Sequence, residues 1–217
     1  MMVVYLTAAA CANGADRGTA AAQASGASGE VDATRPLVVF LGDSLTAGYG
    51  LDATQSFPSL LAARLAKRGT PIRVVNAGVS GDTTTGGLER LSWLLGQKPV
   101  VLVVGFGDND AFRGQPVAAI AENLRTIVVR AQAVGARVLI LGMRVPPNYG
   151  PDYEKAFAAI YPAVAKETRA RLVPFLLEGV AGRADLNQDD GIHPNVKGEQ
   201  IVADNVFPYL VQTLEAK

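Results

Sequence analysis

From Pro36 to Leu41 the chain reads Pro-Leu-Val-Val-Phe-Leu, with no polar alternate, and the run ends at Gly42-Asp43-Ser44. An unbroken apolar, β-branched run of that length predicts a parallel strand covered on both faces. The pattern then changes period. Between Phe57 and Gly69, Leu60, Leu61, Ala63 and Leu65 alternate with Arg64, Lys67 and Arg68, and Gly69 supplies a stop, which predicts a helix. The same alternation continues to the C-terminus. Strands are expected at Ile72–Val75, Val100–Val104, Arg137–Leu141 and Leu172–Leu177, and helices at Thr84–Gly96, Pro116–Gly135, Asp152–Ala170 and Lys197–Lys217. Strands that alternate with helices predict a doubly wound, three-layer α/β/α fold around a five-stranded parallel sheet, with right-handed crossovers.

Ligands of such sheets bind beyond the carboxyl ends of the strands. The segments that follow the first three strands are Gly42-Asp43-Ser44-Leu45, Gly78-Val79-Ser80-Gly81-Asp82 and Gly107-Asp108-Asn109-Asp110. A fourth polar segment, Asp189-Asp190-Gly191-Ile192-His193-Pro194, precedes the final helix. All four are expected to converge on one edge of the sheet.

Composition narrows the chemistry. A chain of 217 residues that is 49% apolar and 18% charged can build one core without disulfides or metal. Twenty basic residues balance twenty acidic ones, so the broad cationic field of a nucleic-acid binder is missing. One Cys and one His exclude a disulfide scaffold and a zinc site built from Cys and His clusters. Any imidazole chemistry therefore falls to His193.

The first 34 residues stand apart from the domain expected over 35–217. Residues 3–10 form a short apolar run that ends in small residues before Cys11, too short to span a bilayer. Residues 12–30 contain seven Ala, four Gly and two Ser, which predicts a flexible linker. The pattern resembles the end of a bacterial lipoprotein signal with Cys11 as the acylated residue, although no Lys or Arg precedes the run and Ala8 stands where Leu is commoner. An Ala-rich tail with a chance Cys explains it equally well. The lipoprotein reading implies a periplasmic or secreted protein tethered to a membrane through Cys11.

A serine between a buried strand and a helix start can expose its hydroxyl beside outward-pointing N–H groups. Ser44 has that position, but a serine hydroxyl attacks only when a base removes its proton. His193 can be that base, and Asp190, three residues earlier, can fix its tautomer and stabilise the imidazolium. The Ser44 and Gly81 backbone N–H groups, with the Asn109 side-chain amide, can form an oxyanion hole. This constellation points to acyl transfer to water, with no cofactor and no metal. Two other readings use the same segments. Asp43, Asp82 and Asp110 beside the strand ends suggest a Mg²⁺ site for phosphoryl transfer, although the chain lacks a G-x-x-x-x-G-K-[ST] loop. A non-enzymatic α/β binding module is the third reading.

The four segments resemble the four blocks of the SGNH (GDSL) hydrolases: G-D-S-L at 42–45, the glycine block at 78–82, G-x-N-D at 107–110 and D-x-x-H at 190–193. Gly48-Tyr49-Gly50, Asn76 to Thr83, Arg113-Gly114, Met143 to Gly150 and Ile160-Tyr161-Pro162 are similar to the arylesterase, thioesterase I and lysophospholipase branch. The resemblance implies a flavodoxin-like sheet, Ser44 as nucleophile, Gly81 and Asn109 as oxyanion donors, and Asp190 with His193 as the rest of a triad. It implies small-molecule substrates: short- to medium-chain carboxylic esters, aryl esters, thioesters and lysophospholipids. A carbohydrate O-deacetylase would use the same chemistry. Expected substrate contacts are Asp43 and Leu45 around the serine, Arg144, Pro146 and Tyr149 in the Pro- and Tyr-rich segment after the fourth strand, and Ile192 beside the histidine. Two positions depart from the family pattern. Asp108 places a carboxyl where a small or neutral residue is expected, and Gly105-Phe106 replaces an acidic and aliphatic pair.

Overall fold

In the computed structural model, which describes residues 34–216, five strands form one all-parallel sheet. They are β1 (Leu37–Gly42), β2 (Arg73–Gly78), β3 (Val101–Gly105), β4 (Arg137–Leu141) and β5 (Arg171–Val173), ordered β2-β1-β3-β4-β5. The long helices are α2 (Phe57–Lys67), α3 (Thr84–Leu95), α5 (Val117–Ala133), α6 (Pro151–Thr168) and α7 (Val196–Glu215). Helices α2 and α7 pack together on one face, and α3, α5 and α6 cover the other. The expected fold class and its three layers are thus observed. Every residue of the central strands β1 and β3 is buried, whereas β2, at the edge, is only half-buried. That contrast follows from position: a central parallel strand has helices on both faces and neighbours on both sides.

Helix boundaries fall within two residues of those expected, but β5 is three residues long where six were expected. Pro174 follows Val173 and has no N–H to donate to the ladder, so pairing stops there. The helix start expected at Ser44 is the short α1 (Ser44–Ala47), while α4 (Asp108–Phe112) was not anticipated, because five residues are too few to show a helical period.

These short helices sit directly on the sheet edge. Parallel register sets Gly42 beside Gly78 on one side and Gly105 on the other. A Cβ on Gly42 would lie 2.1 Å from Thr46 Oγ1, and one on Gly78 would lie 2.2 Å from the Ala47 nitrogen. Side chains at these two strand ends would therefore push α1, and the serine it carries, off the sheet. Phe106 is buried where the next helix turns inward, with its ring against Gly87 and the Arg90 guanidinium 5.9 Å from its centroid. The Gly105-Phe106 departure is thus a packing choice. The expected linker, signal-like segment and Cys11 lie outside the described residues.

Candidate active site

The β1–α1 turn presents Ser44, and it is braced from all sides. Asp43 caps α1, its Oδ1 accepting from the Leu45 N–H at 3.0 Å. The Asn76 amide donates to the Thr46 carbonyl at 2.8 Å, tying α1 to β2. Arg90, from α3, donates to the carbonyls of Ala77 and Gly42 at 2.5 and 2.9 Å and pairs with Asp82 at 2.9 Å. One guanidinium therefore joins the ends of β1 and β2 to the glycine block.

His193 arrives on the loop before α7. His193 Nε2 lies 2.9 Å from Ser44 Oγ, and its Nδ1 lies 2.6 Å from Asp190 Oδ2. The other Asp190 oxygen accepts from the N–H groups of Ile192 and His193 at 2.9 and 3.0 Å. These donors, with the imidazole, hold the Asp190 carboxyl down to about 2, although it is largely exposed. An ionised Asp190 favours the tautomer with the proton on Nδ1, which leaves Nε2 to accept the serine proton. Around the pair, the Gln188 N–H donates to the His193 carbonyl at 2.8 Å and the Gln188 amide donates to the Tyr49 and Pro194 carbonyls. The Tyr49 ring packs tilted against the imidazole with centroids 4.6 Å apart.

Gly81 and Asn109 line the same cleft as Ser44 and His193, a hollow of about 270 Å³. Gly81 has φ +77°, in the left-handed region, and its carbonyl accepts from Arg113 at 2.7 Å. Asn109 stands in the first turn of α4. Asp110 anchors that helix: its two oxygens accept from the Thr84 hydroxyl and N–H at 2.6 and 2.9 Å. Burial pushes the Asp110 carboxyl above its usual range, and the Thr84 donors work against that push.

A second cavity of about 510 Å³ adjoins the cleft, sharing Asp108, Phe112 and Ile192 with it. Its walls are chiefly apolar, with Leu45, Met143, Val145, Phe175 and Leu177, while Arg144 and Glu154 add charge. The Arg144 guanidinium sits 4.7 Å from the centroid of Phe175. Of the expected substrate contacts, Leu45, Arg144, Pro146 and Ile192 line this cavity, and Ile192 lines the cleft as well. Two expectations are corrected. Asp43 is fully buried, because capping α1 turns its carboxyl inward, so it cannot meet a ligand. Tyr149 stands behind the wall, its ring tilted against Phe112 and Tyr153. Tyr49, Phe112 and Arg90 were missed. The first two are exposed aromatics one or a few residues beyond a motif, which is the signal that could have found them.

The carboxylates that suggested Mg²⁺ do not gather: Asp82 is held by Arg90, Asp110 by Thr84 and Asp43 by the Leu45 N–H. Among the described residues no group of three or more His, Cys, Asp or Glu side chains is placed to hold a metal ion. Another hollow of about 510 Å³, at the opposite end of the sheet, is bordered by Arg137, Arg169 and Arg171 and contains neither the serine nor the histidine.

Fold and site together define a hydrolase with its chemistry at the carboxyl edge of a parallel sheet. Residues 40–201 match the model of the GDSL-like Lipase/Acylhydrolase family, and the chain belongs to that family of ester hydrolases. It is 47% identical over 174 residues to "Esterase TesA" of Pseudomonas aeruginosa, covering 80% of this chain and 87% of the relative. It is 40% identical to the "Arylesterase" of Vibrio mimicus, over 82% of this chain and 89% of the relative. The identity to "Thioesterase 1/protease 1/lysophospholipase L1" of Escherichia coli is 42%, over 77% of this chain and 79% of the relative. Among solved structures, the crystal structure of TesA superposes with a TM-score of 0.79 at 46% identity, covering 82% of this chain and 99% of that one. The psychrotrophic esterase EstA from Pseudoalteromonas sp., inhibited by monoethylphosphonate, gives the same TM-score at 34% identity, over 83% of this chain and 99% of its own.

Proposed function

We propose that the protein hydrolyses small-molecule carboxylic esters and thioesters through an acyl-enzyme formed on Ser44. His193 Nε2 takes the Ser44 proton as Oγ bonds to the substrate carbonyl carbon, and the electron pair of the carbonyl moves to oxygen. The resulting oxyanion meets the N–H groups of Ser44 and Gly81 and the Asn109 amide. Collapse expels the alcohol or thiol, which leaves with the proton from His193. Water then repeats the sequence, giving up its proton to His193, and the acid departs as Ser44 regains its proton. Asp190 stays ionised throughout and balances the imidazolium.

The observation that carries this reading is the relay of 2.9 and 2.6 Å from Ser44 through His193 to Asp190, opening into the cleft that Gly81 and Asn109 line. Aryl esters, thioesters, short- to medium-chain esters and lysophospholipids are the substrate classes, supported by the names of the relatives and by the apolar cavity beside the cleft, which suits an acyl chain. Export to the periplasm or beyond, with Cys11 as a lipid-carrying residue, belongs to the same reading and rests on the pattern at residues 3–11. Ser44→Ala tests the chemistry. It should lower kcat for an aryl ester by about 10⁴-fold or more with melting unchanged, and retention of more than a few per cent of kcat would end the assignment.

A further inference from the structure

Asp43 and Asp108 are the residues immediately before Ser44 and Asn109, so they sit at the roots of the nucleophile turn and of the oxyanion helix. Asp108 is the charged and hydrogen-bonding neighbour of the Asp43 carboxyl. Asp43 is fully buried; its Oδ1 is satisfied by the Leu45 N–H, but its Oδ2 has no N–H or O–H donor. Asp108 Oδ1 is likewise buried without a donor. Two buried acceptors brought together, each lacking a donor, would repel if both groups were ionised, whereas one proton between them satisfies both.

We propose that Asp43 and Asp108 share a single proton, and that this bridge makes Asp108 a positioning residue that ties the turn carrying Ser44 to the helix carrying Asn109. The proposal rests on the catalytic reading given above for those two residues. Burial, reinforced by the neighbouring Asp108, pushes the Asp43 carboxyl well above the usual carboxylate range, in keeping with a retained proton. The bridge also resolves the conflict at position 108. A bare carboxylate beside the oxyanion hole would oppose the charge that develops there, while a shared proton spreads the one remaining charge over both carboxyls and the Leu45 N–H offsets part of it. When the bridging proton is lost to solvent at high pH, two adjacent carboxylates remain. Their repulsion separates the turn from the helix and adds negative charge beside the forming oxyanion. Hydrolysis should therefore fall on the alkaline side.

Several other groups face the pair. The Tyr161 hydroxyl, from α6, donates to the Phe106 carbonyl at 3.0 Å, and burial, with these carboxylates nearby, pushes it well above its usual range. Asp110 on α4 is bound to Thr84, and Arg90 on α3 reaches the Gly42 carbonyl. Arg144 and Glu154 share the large cavity with Asp108, and His193 and Tyr49 share the cleft. Tyr49 and Tyr161 carry the phenolic hydroxyls among these groups, so Tyr49→Phe and Tyr161→Phe are required companions.

The test has two parts. Infrared spectra at neutral pH, taken as wild type minus Asp108→Asn so that other protonated carboxyls cancel, should show the C=O band of one buried protonated carboxyl. The same difference should persist in the Ser44→Ala background, where no turnover occurs. Absence of that band overturns the bridge. In the pH profile of kcat, recorded where circular dichroism shows the fold intact, wild type, Tyr49→Phe and Tyr161→Phe should keep an alkaline limb. Asp108→Asn, whose amide can donate permanently to Asp43, should lose it. Asp108→Ala should lose the limb too, with kcat about 10-fold or more below that of Asp108→Asn and KM changed less. A limb that survives in Asp108→Asn, or that disappears in either tyrosine variant, overturns the positioning role, as do equal kcat values for the Asn and Ala variants. Residual turnover by Ser44→Ala would instead overturn the catalytic reading, and the infrared band would still report on the bridge.

Discussion

The two halves of the site are held in different ways. The half that carries Ser44 and Asn109 is built into the sheet edge: Asp43, Ser44, Thr46 and Asp110 are buried, and Arg90, Asn76 and Thr84 bond across two strands and three helices. The base half is a surface loop. Asp190 and Ile192 are exposed, and the loop is held largely by its own hydrogen bonds, with Asp190 accepting from the N–H groups that follow it and Gln188 donating to the His193 and Pro194 carbonyls. Groups that meet developing charge gain from rigidity, because no reorganisation is then needed at the transition state. The base must move a proton in both directions, and a short loop with one well-oriented carboxylate suffices. Loss of a bracing group in the first half, such as Arg90, should therefore cost stability, and loss of Asp190 in the second should cost rate alone.

The largest separation of the two is expected from Asp190→Asn. Its amide oxygen can keep the bonds to the Ile192 and His193 N–H groups, but its nitrogen cannot accept from Nδ1, so the wrong imidazole tautomer is favoured. We expect kcat to fall by about 10⁴-fold with an unchanged melting temperature. Arg90→Ala is its counterpart and should cost about 2–3 kcal/mol of stability, read by denaturant melts, because two carbonyls and Asp82 lose a charged donor. A stable Arg90→Ala protein, or an Asp190→Asn protein that melts early, would break the contrast.

A smaller effect, about 10²–10³-fold in kcat with little change in KM, is expected from Asn109→Ala, since its amide meets charge present only at the transition state. If Asn109 merely capped a turn, thermal stability would drop and kcat of the folded protein would stay near normal. Rate and melting measured on one preparation decide between them.

A last effect lies away from both halves and is read in stability alone. Glu199 on α7 is buried, and its carboxylate accepts from the Phe57 N–H at the start of α2 at 2.6 Å; burial pushes it up to about 8. The folded protein thus holds a proton that the unfolded chain releases above its ordinary value of 4.5. Stability should decline as pH rises between 4.5 and about 8, with a slope approaching about 1.4 kcal/mol per pH unit, and level off above that. Glu199→Gln should flatten that slope in denaturant melts at several pH values. An unchanged slope would assign it to other groups.

Much of this was legible in the chain. The apolar run at 37–41 and its period-shifted successors define the layers. The four polar segments lie where strands end, so Ser44, Gly81, Asn109 and His193 could be grouped before any coordinates. Legibility failed where a side chain's direction depends on tertiary packing. Asp43 reads as a neighbour of the substrate and is instead a buried cap. Tyr149 reads as cleft wall and is instead its backing. Arg90 looks like one more charge on an amphipathic helix, and only the parallel register shows that it reaches two strand ends. Phe112 and Tyr49 reach the cleft from short segments with no periodicity to orient them.

The central claim is that Ser44 is the nucleophile, activated by a loop-borne base, and covalent trapping tests it most directly. A fluorophosphonate should form one adduct per chain, located by peptide mass mapping on the segment containing Ser44, and activity should disappear in proportion. Labelling should slow strongly in His193→Gln. An adduct on any other residue, or full activity in a chain whose Ser44 is modified, would contradict the account.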